Sequence, residues 1–442
     1  MSKSVKLVFT IVAIVMLLTT FGCKPATTNG TGSPQETVSP VTIHIITMDQ
    51  AAMSTDEEEA IARAFEAENP GIKVQWEFVA YEAVHDKIVT GMATTPPAYD
   101  AIMVDVVWPD EFIKKGYLLD VTDRIDQTTK DAILPAAWNG VTRNGKIYGM
   151  PWLLDTKYFY YNKDILQQAG FSAPPTTWEE LITQAKVIQQ KKLAEFPIAW
   201  SWKQAEAAIC DFTILLVGNG GTFLDANGKP AFNNEKGVQV LTWMKQTLDE
   251  GISNPSSSVY GEGDVETNFI SGKSAFMLDW LSGYSNGQDP TKSAIVDQFA
   301  FAPAPVFEAG KAAGIMGAGV DGSTAFGVTA TSPNADAAWK FLTYLSSEAV
   351  QVKYSAKQLP IWKAEYTGDN LTKLLAATPS NPITLLAFLA QFPFASERPN
   401  VAYYAEASAA LQQALQDVFA GNKTPQQALD DAAAIWIQLA GQ

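Results

Sequence analysis

The feature that most restricts this chain is an early, repeated switch of hydrophobic period. VTIHIIT sets Val41, Ile43 and Ile45 on one face of an extended segment, and the next stretch, MDQAAMSTDEEEAIARAFEAENPG, takes on the period of a helix. Ser54 or Thr55 can cap that helix, Asp56, Glu57 and Glu58 suit its positive end, Ile61, Ala64 and Phe65 share a face, and Pro70-Gly71 stops it. IKVQWEFV alternates again, Val84, Ile88 and Met92 mark a second helix, and AIMVDVV reads as an apolar strand before WPDEFIKKGYLLDV. Strand, helix, strand, helix, strand is the grammar of an α/β sheet covered on both faces. In open sheets of this kind, ligands collect beyond the carboxyl ends of the strands.

At 442 residues the chain is too long for one ordinary core, and 47% hydrophobic content is enough for two lobes. Its start is different. Lys3 and Lys6 precede the apolar run Leu7 to Leu18, short for a membrane span and right for a signal peptide over residues 1–22. Cys23 follows at once, and residues 23–40 contain PATTNGTGSPQETVSP, a composition suited to a flexible tether. The folded part is expected from Val41.

The formal net charge is −16, and removal of residues 1–22 takes away two lysines and no acid. Such a body is a poor partner for nucleic acid. His44 and His85 are the only histidines, which argues against a histidine-based metal centre or catalytic triad, and Cys210 has no second cysteine to pair with once Cys23 is processed. The glycines of GIMGAGVDGSTAFGV lack the context of a phosphate cradle.

Several residues are candidates for a binding site. Asp105 interrupts AIMVDVV near its carboxyl end and Trp108 follows three residues later, so an acid and an indole emerge together. Sugar sites pair an aromatic face for the apolar side of a pyranose with acids for its hydroxyls; the other reading of Trp108 is lobe core. Trp200 and Trp202, two apart in IAWSWKQAE, would face one side of an extended segment as a platform, or fill a core. Asp155 stands among apolar and aromatic residues in YGMPWLLDTKYFYYNKDILQQAG, where it either reaches a ligand or serves a local turn or Lys157.

FEAENPGIKVQWEF, AIMVDVVWPDEFIKKGYLLDV, YGMPWLLDTKYFYYNKDIL, PPTTWEEL, GKSAFMLDW, TSPNADAAWKFLTYLSSEAVQ and FAGNKTPQQALDDAAAIW occur in an order and at spacings that resemble one family. It is the extracellular solute-binding proteins of carbohydrate ABC importers, the group that includes the maltodextrin- and trehalose-binding proteins. The resemblance implies a two-lobed α/β fold of the type II periplasmic-binding-protein, or Venus-flytrap, kind with three hinge crossings. The expected lobes are residues 41–152 with 305–348 and residues 153–304 with 349–442. Crossings are expected near Trp152 to Asp155, Ala302 to Pro305 and Ser346 to Val352.

By the same resemblance Asp155 accepts hydrogen bonds from sugar hydroxyls, Trp280 stacks on the sugar with Asp279 and Tyr284 beside it, and Asp321 reaches it from the glycine-rich turn. Asp49, Gln50 and Tyr403 are carried over by position. TTFGC resembles a bacterial lipoprotein cleavage site, implying lipidation of Cys23 and a membrane anchor through that lipid only. The implied molecule is an exported, non-enzymatic monomer without cofactor, partnered by a sugar and by an importer's permease subunits. A polyamine receptor of the same fold, a glycoside-acting enzyme and a surface adhesin are the competing classes.

Overall fold

The computed structural model describes residues 40–49, 53–355, 357–377 and 389–441. The expected signal peptide, Cys23, the tether and Gln50 lie outside the described residues.

Two sheets organise the chain. The first joins β1 (Val41–Met48), β2 (Ile72–Val79), β3 (Ala101–Asp105), β4 (Met150–Leu153) and a late strand, Thr324–Val328, which becomes β8 once the second sheet is counted. Its order is β2–β1–β3–β8–β4. β1 runs parallel to β2 along its whole length, from Val41 opposite Ile72 to Met48 opposite Val79, and parallel to β3. β8 runs antiparallel to both β3 and β4. Because β1 is interior, Ile46 and Thr47 are buried as well as Ile43 and Ile45, so the alternation of its sequence understates its burial.

The second sheet has β5 (Tyr158–Asn162) at its centre, flanked antiparallel by β6 (Phe276–Asp279) and β7 (Phe299–Ala302). Period two divides the aromatic run: Tyr158 and Tyr160 face one way, while Phe159 faces the other and stacks on Phe276 at 5.6 Å.

Helices cover both sheets. The helix Thr55–Glu68 buries Glu58, Ile61, Ala62 and Phe65. Ala62 takes the place expected for Ala64, because the covered stripe runs through positions one turn apart on either side of Ile61. Phe65 meets Phe341 of the helix Ala335–Leu345 edge-on at 5.1 Å, and Phe341 meets Trp76 of β2 at 5.6 Å. The helices Tyr404–Phe419 and Pro425–Ala440 pack on one another and on the helices Glu206–Gly218 and Glu235–Asp249 of the second sheet.

Residues 154–157 carry the chain from β4 to β5. Other passages differ from expectation. Ala304, Val306, Phe307, Ala318 and Val320 all pack in the cluster that holds Phe159 and Phe276, and the chain re-enters the first sheet only with β8 at Thr324. Backbone bonds explain this, since Phe307 N–H donates to Gly218 O at 3.0 Å and Trp178 N–H to Val306 O at 3.1 Å. The segment from Ser346 to Val352 stays with the first sheet: Ser346 Oγ donates to Pro151 O at 2.6 Å, and Gln351 Nε2 donates to Trp152 O at 2.8 Å. Leu359 and Ile361 are still first-core residues, and the change of core comes between Tyr404 and Ala407.

Phe341 is fully buried in the first core. Phe341→Ala is expected to cost about 3–5 kcal/mol of unfolding free energy, read as a lower urea midpoint in equilibrium denaturation.

Candidate functional site

Strand register sets one row of the site. Thr324 of β8 lies opposite Asp105 of β3 on one side and Leu153 of β4 on the other, so the three occupy one edge of the first sheet. Those residues and Met48, at the carboxyl end of β1, line a cavity of about 430 Å³. That is the size of a small-molecule site, which runs to roughly 300–1,000 Å³. The opposite wall comes from the second sheet and its helices: Glu206, Cys210, Glu262, Trp280 and Ser282. The floor is the passage through Leu154 and Asp155 together with Gly322.

Asp155 keeps part of its surface open to the cavity. Its Oδ1 accepts the backbone N–H of Thr156 at 2.9 Å and of Leu281 at 3.3 Å, which leaves Oδ2 for other partners. Enclosure pushes its pKa up to about 8, the two amides pull it down, and the charges of Glu262 and Asp321 add to the rise. At neutral pH the group therefore carries a proton and can donate as well as accept. Its own carbonyl accepts Gly322 N–H at 3.0 Å, tying two passages together.

Asp105 is buried and already engaged. Oδ2 accepts the Tyr81 hydroxyl at 3.0 Å, and Oδ1 accepts Val107 N–H at 3.2 Å and Arg398 Nη2 at 3.4 Å. Arg398, itself buried, donates through Nη1 to Glu206 Oε1 at 2.6 Å and through Nη2 to the carbonyl of Asp321 at 3.2 Å. Glu206 also accepts the Tyr404 hydroxyl at 2.5 Å and the Ser408 hydroxyl. One guanidinium thus neutralises two acids on facing walls. Burial raises the Asp105 pKa against the pull of Arg398.

Trp280 follows β6 directly, at the N-cap of the helix Leu281–Gly287, and presents a partly exposed indole. Its Nε1–H donates to Glu262 Oε1 at 2.7 Å, and its ring lies so close over Gly322 that a Cβ there would stand 2.2 Å from Cζ3. Lys157, fully buried, donates to Asp211 Oδ1 at 2.9 Å and pairs with Glu262 Oε1 at 3.0 Å. Burial works against its charge, but Asp211 and Glu262 outweigh it and hold the ammonium far above its ordinary pKa.

Of the residues expected at a site, Asp49, Asp105, Asp155 and Trp280 line the cavity. Trp108 does not: it is buried one layer behind, its ring stacked against Tyr81 at 6.1 Å, so it backs a wall residue. Trp202 lies deep in the second core, sandwiched between Trp200 at 5.1 Å and Phe419 at 5.3 Å, which makes the pair a core stack and not a platform. Asp321 turns its carboxylate onto Ser323 N–H at 2.9 Å and leaves the cavity wall to Gly322. Tyr403 packs against the second core outside the cavity lining, and Gln50 lies outside the described residues. Tyr81, Glu206, Glu262 and Arg398 went unread in the sequence because no local period or motif marks them. His85, bonded to Glu111 at 2.8 Å and stacked on Phe112, is structural. Among the described residues no cluster of His, Cys, Asp or Glu could hold a metal ion.

The geometry has counterparts. A family model described as bacterial extracellular solute-binding protein matches residues 49–352. The chain is 26% identical over 380 residues to a putative binding protein of Brucella abortus (strain 2308), covering 85% of this chain and 88% of that one. It is 31% identical over 276 residues to a probable ABC transporter-binding protein of Deinococcus radiodurans, covering 60% of this chain and 63% of that one. Among solved structures, the maltose-bound MalE3 of T. maritima matches with a TM-score of 0.80 at 28% identity, over 90% of this chain and 100% of the other.

The raised pKa of Asp155 has a consequence for stability. The folded chain keeps a proton that the unfolded chain, with a carboxyl pKa of about 3.9, gives up, so stability falls as pH climbs from about 4 to 8 and the whole loss is present above that window. Asp155→Asn carries no such proton. Its melting temperature is expected to match the parent's near pH 4, to exceed it by a few degrees by pH 8 and to keep that margin above, in calorimetry of the ligand-free chain.

Proposed function

Because the chain belongs to the bacterial extracellular solute-binding protein family, we propose that it is the substrate-binding receptor of an ABC importer. It captures a sugar, a di- or oligosaccharide, between two lobes and delivers it to the membrane permease subunits. The observation that carries the reading is the composition of the cavity: an indole face on one wall, with Asp155 on the floor and Tyr81 and Thr324 opposite. A pyranose has two apolar faces and a rim of hydroxyls, and such walls match both. The MalE3 neighbour of T. maritima is described as maltose-bound.

Charge favours a neutral ligand over an amine. Asp105 and Glu206 share Arg398, and Glu262 shares Lys157, so three of the wall acids are balanced from within the chain. A polyamine would have to compete with those buried cations. The first lobe is built on the sheet of β1–β4 and β8 and the second on the sheet of β5–β7, with residues 154–157 among the connections between them. The lobes close when ligand bonds to both walls are made together. The receptor is a monomer without catalytic activity, exported by residues 1–22 and anchored outside the membrane by a lipid on Cys23. No helix among the described residues is long and apolar enough to cross a membrane.

A melting-temperature screen against maltose, maltotriose, mannitol and spermidine tests the reading, since a ligand that binds only the native state raises the transition. A rise with a saccharide is expected. Stabilisation by spermidine alone would replace sugar with amine, and recovery of shortened saccharide after incubation would overturn the non-enzymatic assignment. In calorimetric titration with the stabilising sugar, Trp280→Ala is expected to weaken binding by about 2 kcal/mol, roughly 30-fold, and Asp155→Ala by roughly tenfold.

A further inference from the structure

The indole of Trp280 is held on several sides by groups of the chain itself. Its Nε1–H is bonded to Glu262 Oε1 at 2.7 Å, and the same oxygen faces Lys157 Nζ at 3.0 Å. That ammonium also donates to Asp211 Oδ1 at 2.9 Å and to Ser201 Oγ at 3.1 Å. It stands 5.4 Å from the centroid of the Trp280 ring as well, and the ring's far edge rests on the bare backbone of Gly322. The participants come from separate elements: Lys157 from the passage before β5, Asp211 from the helix Glu206–Gly218, Glu262 from the first position of the helix Glu262–Ile270, and Trp280 from the residue just after β6.

Glu262 lines the cavity, and a wall carboxylate invites the reading that it bonds the ligand. Its Oε1, however, accepts the indole N–H and is paired with a buried ammonium, which sets the carboxylate against the ring. We propose that Glu262, held by Lys157 and Asp211, is a positioning residue that fixes the plane of the Trp280 ring, and that this preset plane is its contribution to saccharide affinity. A tryptophan free to turn about its two side-chain torsions would have to be ordered when the sugar binds, whereas one already fixed spares that entropy. The inference rests on the sugar-receptor reading and refines it.

A double-mutant cycle with a ligand-free readout decides it. The full chain is labelled with 5-fluorotryptophan, the Trp280 resonance is identified by its loss in Trp280→Phe, and maltose affinity is measured by titration. Without ligand, the Trp280 fluorine signal is expected to shift and change width in Glu262→Ala and to return towards the parent's in Glu262→Gln, whose amide oxygen still accepts the indole N–H. Glu262→Ala is expected to weaken maltose binding roughly tenfold in the parent and less than about twofold in the Trp280→Phe background, with Glu262→Gln recovering most of the loss. An unmoved fluorine signal in Glu262→Ala would overturn the proposal, and so would an equal loss of affinity in both backgrounds, which is the mark of a direct ligand bond. Absence of maltose binding to the parent would count against that sugar as cargo, and the fluorine comparison would still decide what Glu262 does.

Discussion

The arrangement of this protein depends on a buried guanidinium. Arg398 reaches Glu206 on the helix wall, Asp105 at the edge of the first sheet and the carbonyl of Asp321 on the passage between them. Isolated charges at such depth would be costly, and two facing carboxylates would repel; one planar cation with donors on both sides satisfies each of them. Its geometry needs both sheets in place, because no pair of these residues is close in sequence apart from the chain's fold. The cavity therefore inherits its shape from an ion network that also joins the two cores.

That network changes what the wall offers. An acid at the carboxyl end of a strand suggests an acceptor for ligand, yet Asp105 spends both oxygens on Tyr81, Val107 and Arg398. Asp155 has an oxygen left over, and its enclosure holds a proton that makes it a donor too. Asp105, Glu206 and Glu262 bring charge that the chain itself neutralises, and Trp280 brings an aromatic face. Such a division suits a ligand rich in hydroxyls and without net charge.

Much of the fold was legible because it follows local rules. The period switches around Val41, Ile61 and Trp76 all became the expected elements. Asp155 and Trp280 were legible as wall residues through the order of the motifs that carry them. What could not be read was decided by contacts distant in sequence. Trp202 and Trp108 look like ligand aromatics in isolation, and only the rings of Trp200, Phe419 and Tyr81 reveal them as packed. Arg398 is a single basic residue in ERPN, and its three partners lie between 77 and 293 positions away. A crossing was expected near Ala302 to Pro305, yet bonds to Gly218 and Trp178 hold the stretch just after it to the second core.

The backbone bond between Asp155 and Gly322 ties the passage out of β4 to the passage into β8, so a carboxyl with an oxygen left over stands where two connections between the sheets meet. Points near a rotation axis travel least. Were the two sheets to swing about residues 154–157 and 321–323, Asp155, lying on that line, would be left almost stationary. A ligand hydroxyl bonded there would keep that bond throughout the swing, so Asp155 would act as the fixed origin from which the two moving walls measure the length of what they enclose.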